Sequence, residues 1–109
     1  MSKAADDVVT ERARQIGSEY FTAAHDDQHT HGELARAAAC YCLGAVETVT
    51  GREPLDFYND DFLSAVWPWD RSWWKSRDAR RDLVRAAALI VAEIERLKRA
   101  TVDGESEHG

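Results

Sequence analysis

Apolar residues recur at helical spacing in three stretches of the chain. Over residues 5–20, Val9, Ala13, Ile16 and Tyr20 fall on one face, and Asp6 and Asp7 sit in the first turn, where carboxylates complement the helix dipole. Further on, Leu34, Ala37, Ala38, Tyr41, Ala45 and Val49 trace a second apolar face. Ala35, Ala39, Cys42 and Val46 lie opposite, so this helix is expected to be covered on both sides. Thr30 and Glu33 have the spacing of a capping box, which places its start at about His31. Periodicity lapses over 50–72, where Gly51, Pro54 and Pro68 punctuate the chain and only a short helix near 60–66 fits. It returns from Trp73 to Ala100, with Leu83, Ala87, Ile90, Ile94 and Leu97 as the seam, broadened by Val84, Ala88 and Val91. No stretch alternates convincingly with the period of a strand. The pattern predicts an all-α fold with main helices at about 5–20, 31–49 and 73–100 and an aromatic-rich connection at 50–72. These form a single domain over 1–100, followed by a flexible tail over 101–109. At 1.5 Å per residue the last helix is roughly 40 Å long, too long for so small a globule to cover, which predicts a homo-oligomer.

Composition narrows the classes. The chain has 109 residues, 20 acidic against 14 basic, and a formal charge of −6. That balance excludes general binding to nucleic-acid polymers and a polybasic membrane anchor. With 44% apolar and 31% charged residues it is a folded domain and not a disordered one. The longest apolar runs, seven residues as in Ala86–Ala92, are far short of the ~20 residues that span a bilayer. The N-terminus lacks the apolar core of a secretion signal. Cys40 and Cys42 point about 200° apart on a helix and cannot bridge, which fits a reducing cytoplasm.

Three groups of residues carry candidate chemistry. The stretch 25–33 gathers His25, Asp26, Asp27, His29, His31 and Glu33, all potential metal ligands, although a solvated loop with a helix cap explains it equally. On the last helix Glu93 lies about 60° and Asp82 about 80° from the centre of the apolar face, on the same side. With Glu33 they would suit an oxygen-ligated ion such as Mg²⁺, unless they simply pair with Arg36, Arg85 or Arg96. Seven of the ten aromatic residues fall between Phe57 and Trp74, beside a locally basic stretch. Trp69, Trp73 and Trp74 with Lys75, Arg77, Arg80 and Arg81 would suit a nucleotide or another small phosphorylated ligand. The same tryptophans would serve a core or an oligomer interface. No glycine-rich phosphate loop, nucleophile elbow or paired-cysteine motif is present.

The segments ERARQ (11–15), HDDQHTHGELARAAACY (25–41), WPWDRSWWK (67–75) and RRDLVRAAALIVAEIERLKR (80–99) resemble a family of small bacterial and prophage proteins. That family carries the pattern ERxRQ…HDDxHxxGELAxAAxxY…WPWDxxWWK…AEIERL. The resemblance implies a phage or mobile-element context and a cytoplasmic accessory role. More distantly, the GELA and AEIERL segments look like the two carboxylate-bearing helices of MazG-like all-α nucleotide pyrophosphohydrolases, which bind Mg²⁺ with paired acidic residues. Carried over, Glu33 and Glu93 stand on the first and second of these helices. Arg36 and Arg96 occupy the positions where the second carboxylate of each pair is expected, leaving Asp26, Asp27 or Asp82 as substitutes, with His29 nearby.

Three functions stay open at this point. One is Mg²⁺-dependent hydrolysis of a nucleoside triphosphate. Another is a non-catalytic helical oligomer that sequesters a nucleotide signal or blocks a host defence protein. The third is a phage structural or assembly adaptor that uses its tryptophans as anchors.

Overall fold

The computed structural model describes residues 2–19, 22–51, 65–70, 74 and 78–108, the last eight by their backbone alone. The first helix, α1 (Lys3–Ser18), is opened by Ser2, whose hydroxyl accepts from the amide of Ala5 at 3.1 Å. A single-turn helix, α2 (Ala23–Asp26), is capped in the same way by Thr22. The third, α3 (Glu33–Thr50), runs between Gly32 (φ 77°) and Gly51 (φ 68°). Both glycines hold left-handed conformations that side chains with a Cβ adopt only at a cost. The last, α4 (Ala79–His108), is capped by Asp78, whose carboxylate accepts from the amide of Arg81 at 2.8 Å. The described residues contain no strand, and the fold is all-α.

Helix α4 is the spine against which α1 and α3 pack. Its contact with α3 is made by small residues. Ala86, Ala88 and Ala92 are essentially inaccessible, and Leu89 inserts among Leu34, Ala37, Ala38 and Tyr41. Alanine permits close backbone approach, so the leucine and tyrosine side chains fill the remaining space. Trp67 closes one end of this core, with Val66, Trp69 and Trp74 packed against it. Arg36 fastens the connection to α3 by donating to the carbonyls of Val66 and Ala65, each at 3.0 Å.

Several boundaries and faces differ from the expected ones. Helix α3 starts at Glu33, and Glu33 reaches back to the amide of His31, not to Thr30, so the capping box does not form. Ala35, Ala39 and Val46 are exposed, so α3 is covered on one side only. Helix α4 begins at Ala79 and not at Trp73, because Asp78 supplies its cap while Trp74 packs on Tyr41. It also continues through Gly104 to His108, where a tail was expected; one glycine costs a helix only about 1 kcal/mol.

The larger reversal concerns which faces point inward. On α4, Leu83, Ile90, Ile94 and Leu97 lie outside at 44–59% exposure, and the alanine-rich side is buried. On α1, Val9 and Ile16 are exposed while Glu11 and Gln15 are buried. The charged inner face of α1 is satisfied by arginines of α1 and α4, as described below. Tyr20, the stretch 52–64, Trp73, Lys75 and Arg77 lie outside the described residues. No helix among the described residues is long and apolar enough to cross a membrane.

Candidate functional site

The buried polar face of α1 leads to a cavity. It has a volume of about 390 Å³ and is lined by Glu11, Arg14, Gln15 and Glu19 from the α1 end, His25 from α2, Tyr41 from α3, Arg85 and Leu89 from α4, and Trp67, Trp69 and Asp70 from the connection. That volume is near the lower end for small-ligand clefts. Glu11 and Gln15 are one helical turn apart, so their side chains stack on the same face.

Charge in the wall is tightly paired. Arg14 grips Glu11 with two hydrogen bonds of 2.8 Å and reaches Glu19 at 2.9 Å, while Arg81 approaches Glu11 from α4 at 2.7 Å. Burial opposes ionisation of Glu11. The Arg14 hydrogen bonds, with the charges of Arg14, Arg81 and Arg85, outweigh it and hold the carboxyl below its usual range. Glu11 also accepts from the amide nitrogen of Gln15 at 3.3 Å. The Gln15 Oε1 is buried and receives no hydrogen bond from the described residues. A buried carbonyl without a donor costs about 1–3 kcal/mol, and here it belongs to a residue of the cavity wall. The opposite wall is aromatic. Trp67 meets Trp69 edge to face at 5.4 Å and Tyr41 at 5.7 Å, and its indole N–H is spent on the carbonyl of Asp70. The Arg85 guanidinium lies 5.7 Å from the centre of the Tyr41 ring.

A second group lies where α2 runs into α3. Asp26 is completely buried and accepts from Arg12 at 2.8 Å, with its other oxygen 3.2 Å from Nδ1 of His25. Nε2 of His25 is 3.2 Å from Nε2 of His29, whose Nδ1 is in turn 3.2 Å from Glu33. His29 also meets the edge of Trp69 at 5.8 Å. Desolvation of Glu33 works against ionisation, but backbone donors and His29 hold its carboxyl below the usual range.

The residues expected to hold Mg²⁺ are engaged elsewhere, and none lines the cavity. Glu93 is bound by Arg96 at 2.6 Å, and Asp27 by Arg99 at 2.7 Å. Arg96 is kept protonated first by its hydrogen bond to Glu93 and also by the charges of Asp27 and Glu33. These three acids therefore share the field of a guanidinium from the chain itself. Asp82 is fully buried at the start of α4. Among the described residues no three His, Cys, Asp or Glu side chains converge as metal ligands.

Of the expected ligand-binding residues, Trp69 lines the cavity and Trp74 packs on Tyr41 with ring centres 4.8 Å apart. Arg80 pairs with Asp7 and Arg81 with Glu11, both at 2.7 Å. Glu11, Gln15, Tyr41 and Arg85 were not anticipated as site residues. Their only signal in the sequence is the polar pair Glu11 and Gln15 at one-turn spacing, opposite Val9, Ala13 and Ile16. No protein-family model, curated protein or solved structure matches the chain.

Proposed function

We propose that this protein binds a small planar nitrogenous ligand, of the nucleobase or nucleoside class, in the cavity between α1, α3 and the tryptophans, and holds it without turning it over. The observation that carries this reading is the cavity itself, walled by Tyr41, Trp67 and Trp69 on one side and by Glu11 and Gln15 on the other, with a Gln15 Oε1 that takes no hydrogen bond from the described residues. A turn of the Gln15 carboxamide into the cavity offers its carbonyl to a ring N–H or exocyclic amine, while the aromatic wall takes the apolar faces. Phosphate is not what the wall selects. Its described charges are Glu11, Glu19 and Asp70 against Arg14 and Arg85, and Arg14 is already committed to two carboxylates. A protein of this kind acts by sequestering its ligand.

The alternative is the Mg²⁺-dependent pyrophosphohydrolase suggested by the MazG resemblance. It requires Arg96 to give up the field of Glu93, Asp27 and Glu33 to a metal ion. Thermal-shift measurements over nucleobases, nucleosides and their triphosphates, with and without Mg²⁺, separate the two. Base binding predicts that a nucleoside stabilises as well as its triphosphate, within about threefold in affinity, and that Mg²⁺ adds nothing. Stabilisation by the triphosphate alone, with Mg²⁺-dependent pyrophosphate release, would replace this reading by hydrolysis.

We infer further that a second copy of the chain covers the outer face of α4. Leu83, Ala87, Ile90, Ile94 and Leu97 are spaced alternately four and three apart, the repeat of a two-stranded coiled coil. In that register Glu93 and Lys98 take the flanking positions that meet across a parallel seam. Exposed apolar residues are ordinary singly, but four of them, Leu83, Ile90, Ile94 and Leu97, in one stripe along a helix are not.

A further inference from the structure

The polar side chains that α1 turns toward the cavity form a row. Glu11, Gln15 and Glu19 all line it, each four residues and so about 6 Å beyond the last along one side of the helix. Their depth changes along the row. Glu11 and Gln15 are each 2% exposed, whereas Glu19, the C-cap residue of α1, has a side chain 25% exposed. Gln15 therefore stands deep in the wall, and Glu19 stands where the wall opens to solvent. The Glu19 carboxylate is only half engaged. Its Oε1 accepts from Arg14 at 2.9 Å, and its Oε2 takes no hydrogen bond from the described residues. An ionised carboxylate only accepts, so this open oxygen calls for a donor.

We propose that Glu19 recognises a sugar, and that the ligand of this cavity is a ribonucleoside and not a free base or a 2′-deoxynucleoside. The inference rests on the nucleobase reading of the cavity. A base held at Gln15 projects its sugar toward the opening, one turn further along α1. There the adjacent 2′ and 3′ hydroxyls of ribose donate to the Glu19 carboxylate, in hydrogen bonds strengthened by its charge. Acidic side chains serve this role at the ribose 2′-hydroxyl in dinucleotide-binding folds. A neutral hydroxyl suits this carboxylate better than an ammonium group. It supplies donors without setting a second positive charge beside the Arg14 guanidinium, which already reaches both Glu11 and Glu19. The same carboxylate repels a phosphate on the 2′ or 3′ oxygen, so both hydroxyls must be free. The 5′ oxygen takes no part in the contact, and a 5′-phosphate neither helps nor hinders it.

The test is titration of tryptophan fluorescence in the full chain with adenine, guanine, cytosine and uracil, each as free base, ribonucleoside and 2′-deoxynucleoside. For the base that binds, the native chain prefers the ribonucleoside to the 2′-deoxynucleoside by at least about tenfold. In Glu19→Ala that ratio falls to about one, while affinity for the free base stays within about threefold of native. A merely structural role for Glu19 would weaken all three forms alike and leave the ratio standing. Equal affinity for the two nucleosides in the native chain, or a preference that survives Glu19→Ala, overturns the sugar contact. Binding of the free base in that case keeps the nucleobase reading; binding of no form overturns both. Should Glu19→Ala fail to fold, the native chain decides with the ribonucleoside 3′-phosphate. A loss of at least about tenfold against the unphosphorylated ribonucleoside supports the contact, and equal affinity overturns it.

Discussion

Replacing Glu11 with alanine tests the electrostatic frame of the cavity. The carboxylate is 1% exposed and is held by Arg14 and Arg81 at 2.7–2.8 Å, with Arg85 contributing charge. Its loss leaves arginines on α1 and α4 facing one another without their shared counter-ion. Breaking a fully buried pair from one side costs about 3–5 kcal/mol, but Arg14 and Arg81 keep about a third of their side chains in solvent and Arg14 retains Glu19, which lowers the expected cost to about 2–3 kcal/mol. At roughly 4–5 °C per kcal/mol, Tm falls by about 8–15 °C, read by circular dichroism at pH 7. Glu11→Gln, which keeps one acceptor, loses less. The same carboxyl sets a pH dependence. Its folded pKa is depressed, so its contribution is complete above the ordinary value of 4.5 and is lost as pH falls below that through the folded value. The native chain therefore loses stability below about pH 5 more steeply than Glu11→Gln. A Glu11→Ala protein within about 1 kcal/mol of native, or acid curves of equal slope, would show that the cluster is not the brace described.

Other outcomes follow from particular residues. Burial pushes the Cys40 thiol up to about 11, so it stays protonated and reacts slowly with thiol reagents in the folded protein. The half-buried Cys42 labels first, and both label at once in denaturant. Gly32→Ala costs about 1 kcal/mol through backbone strain alone, because the added Cβ meets nothing nearer than Arg36 Cδ at 4.0 Å. Ile90→Glu or Ile94→Lys, both on the exposed seam, leaves the helical spectrum unchanged while converting the oligomer to monomer in light scattering. Equal mass for native and variant would remove the coiled-coil assignment.

Helical periodicity was enough to read the fold class and the three main helices. It failed on direction. In α4 the largest apolar side chains mark a seam on the outside, while the monomer core is built from Ala86, Ala88 and Ala92, whose small size brings α3 close and whose hydrophobicity is too weak to dominate a pattern. In α1 the buried face is Glu11 and Gln15, which only their arginine partners make tolerable, and Arg81 lies 70 positions further along the chain. The motif around His25 and Glu33 was visible as a cluster. Its pairing through the two Nε2 atoms was not, because it depends on the turn between α2 and α3. Arg96 shows the same limit: its replacement of an expected carboxylate was plain in the sequence, but its place among Glu93, Asp27 and Glu33 required the fold.

The most direct test of the account is the affinity ratio of Gln15→Met to the native chain for whichever nucleobase or nucleoside gives the largest thermal shift, measured by titration of tryptophan fluorescence. Methionine keeps the length of glutamine but offers no carbonyl to a ligand N–H. A site built around that hydrogen bond predicts at least a tenfold loss, the equivalent of about 1.4 kcal/mol, with folding intact. Equal affinity in the two proteins, or no quenching by any member of the panel, would contradict the assignment of this cavity as a nucleobase site.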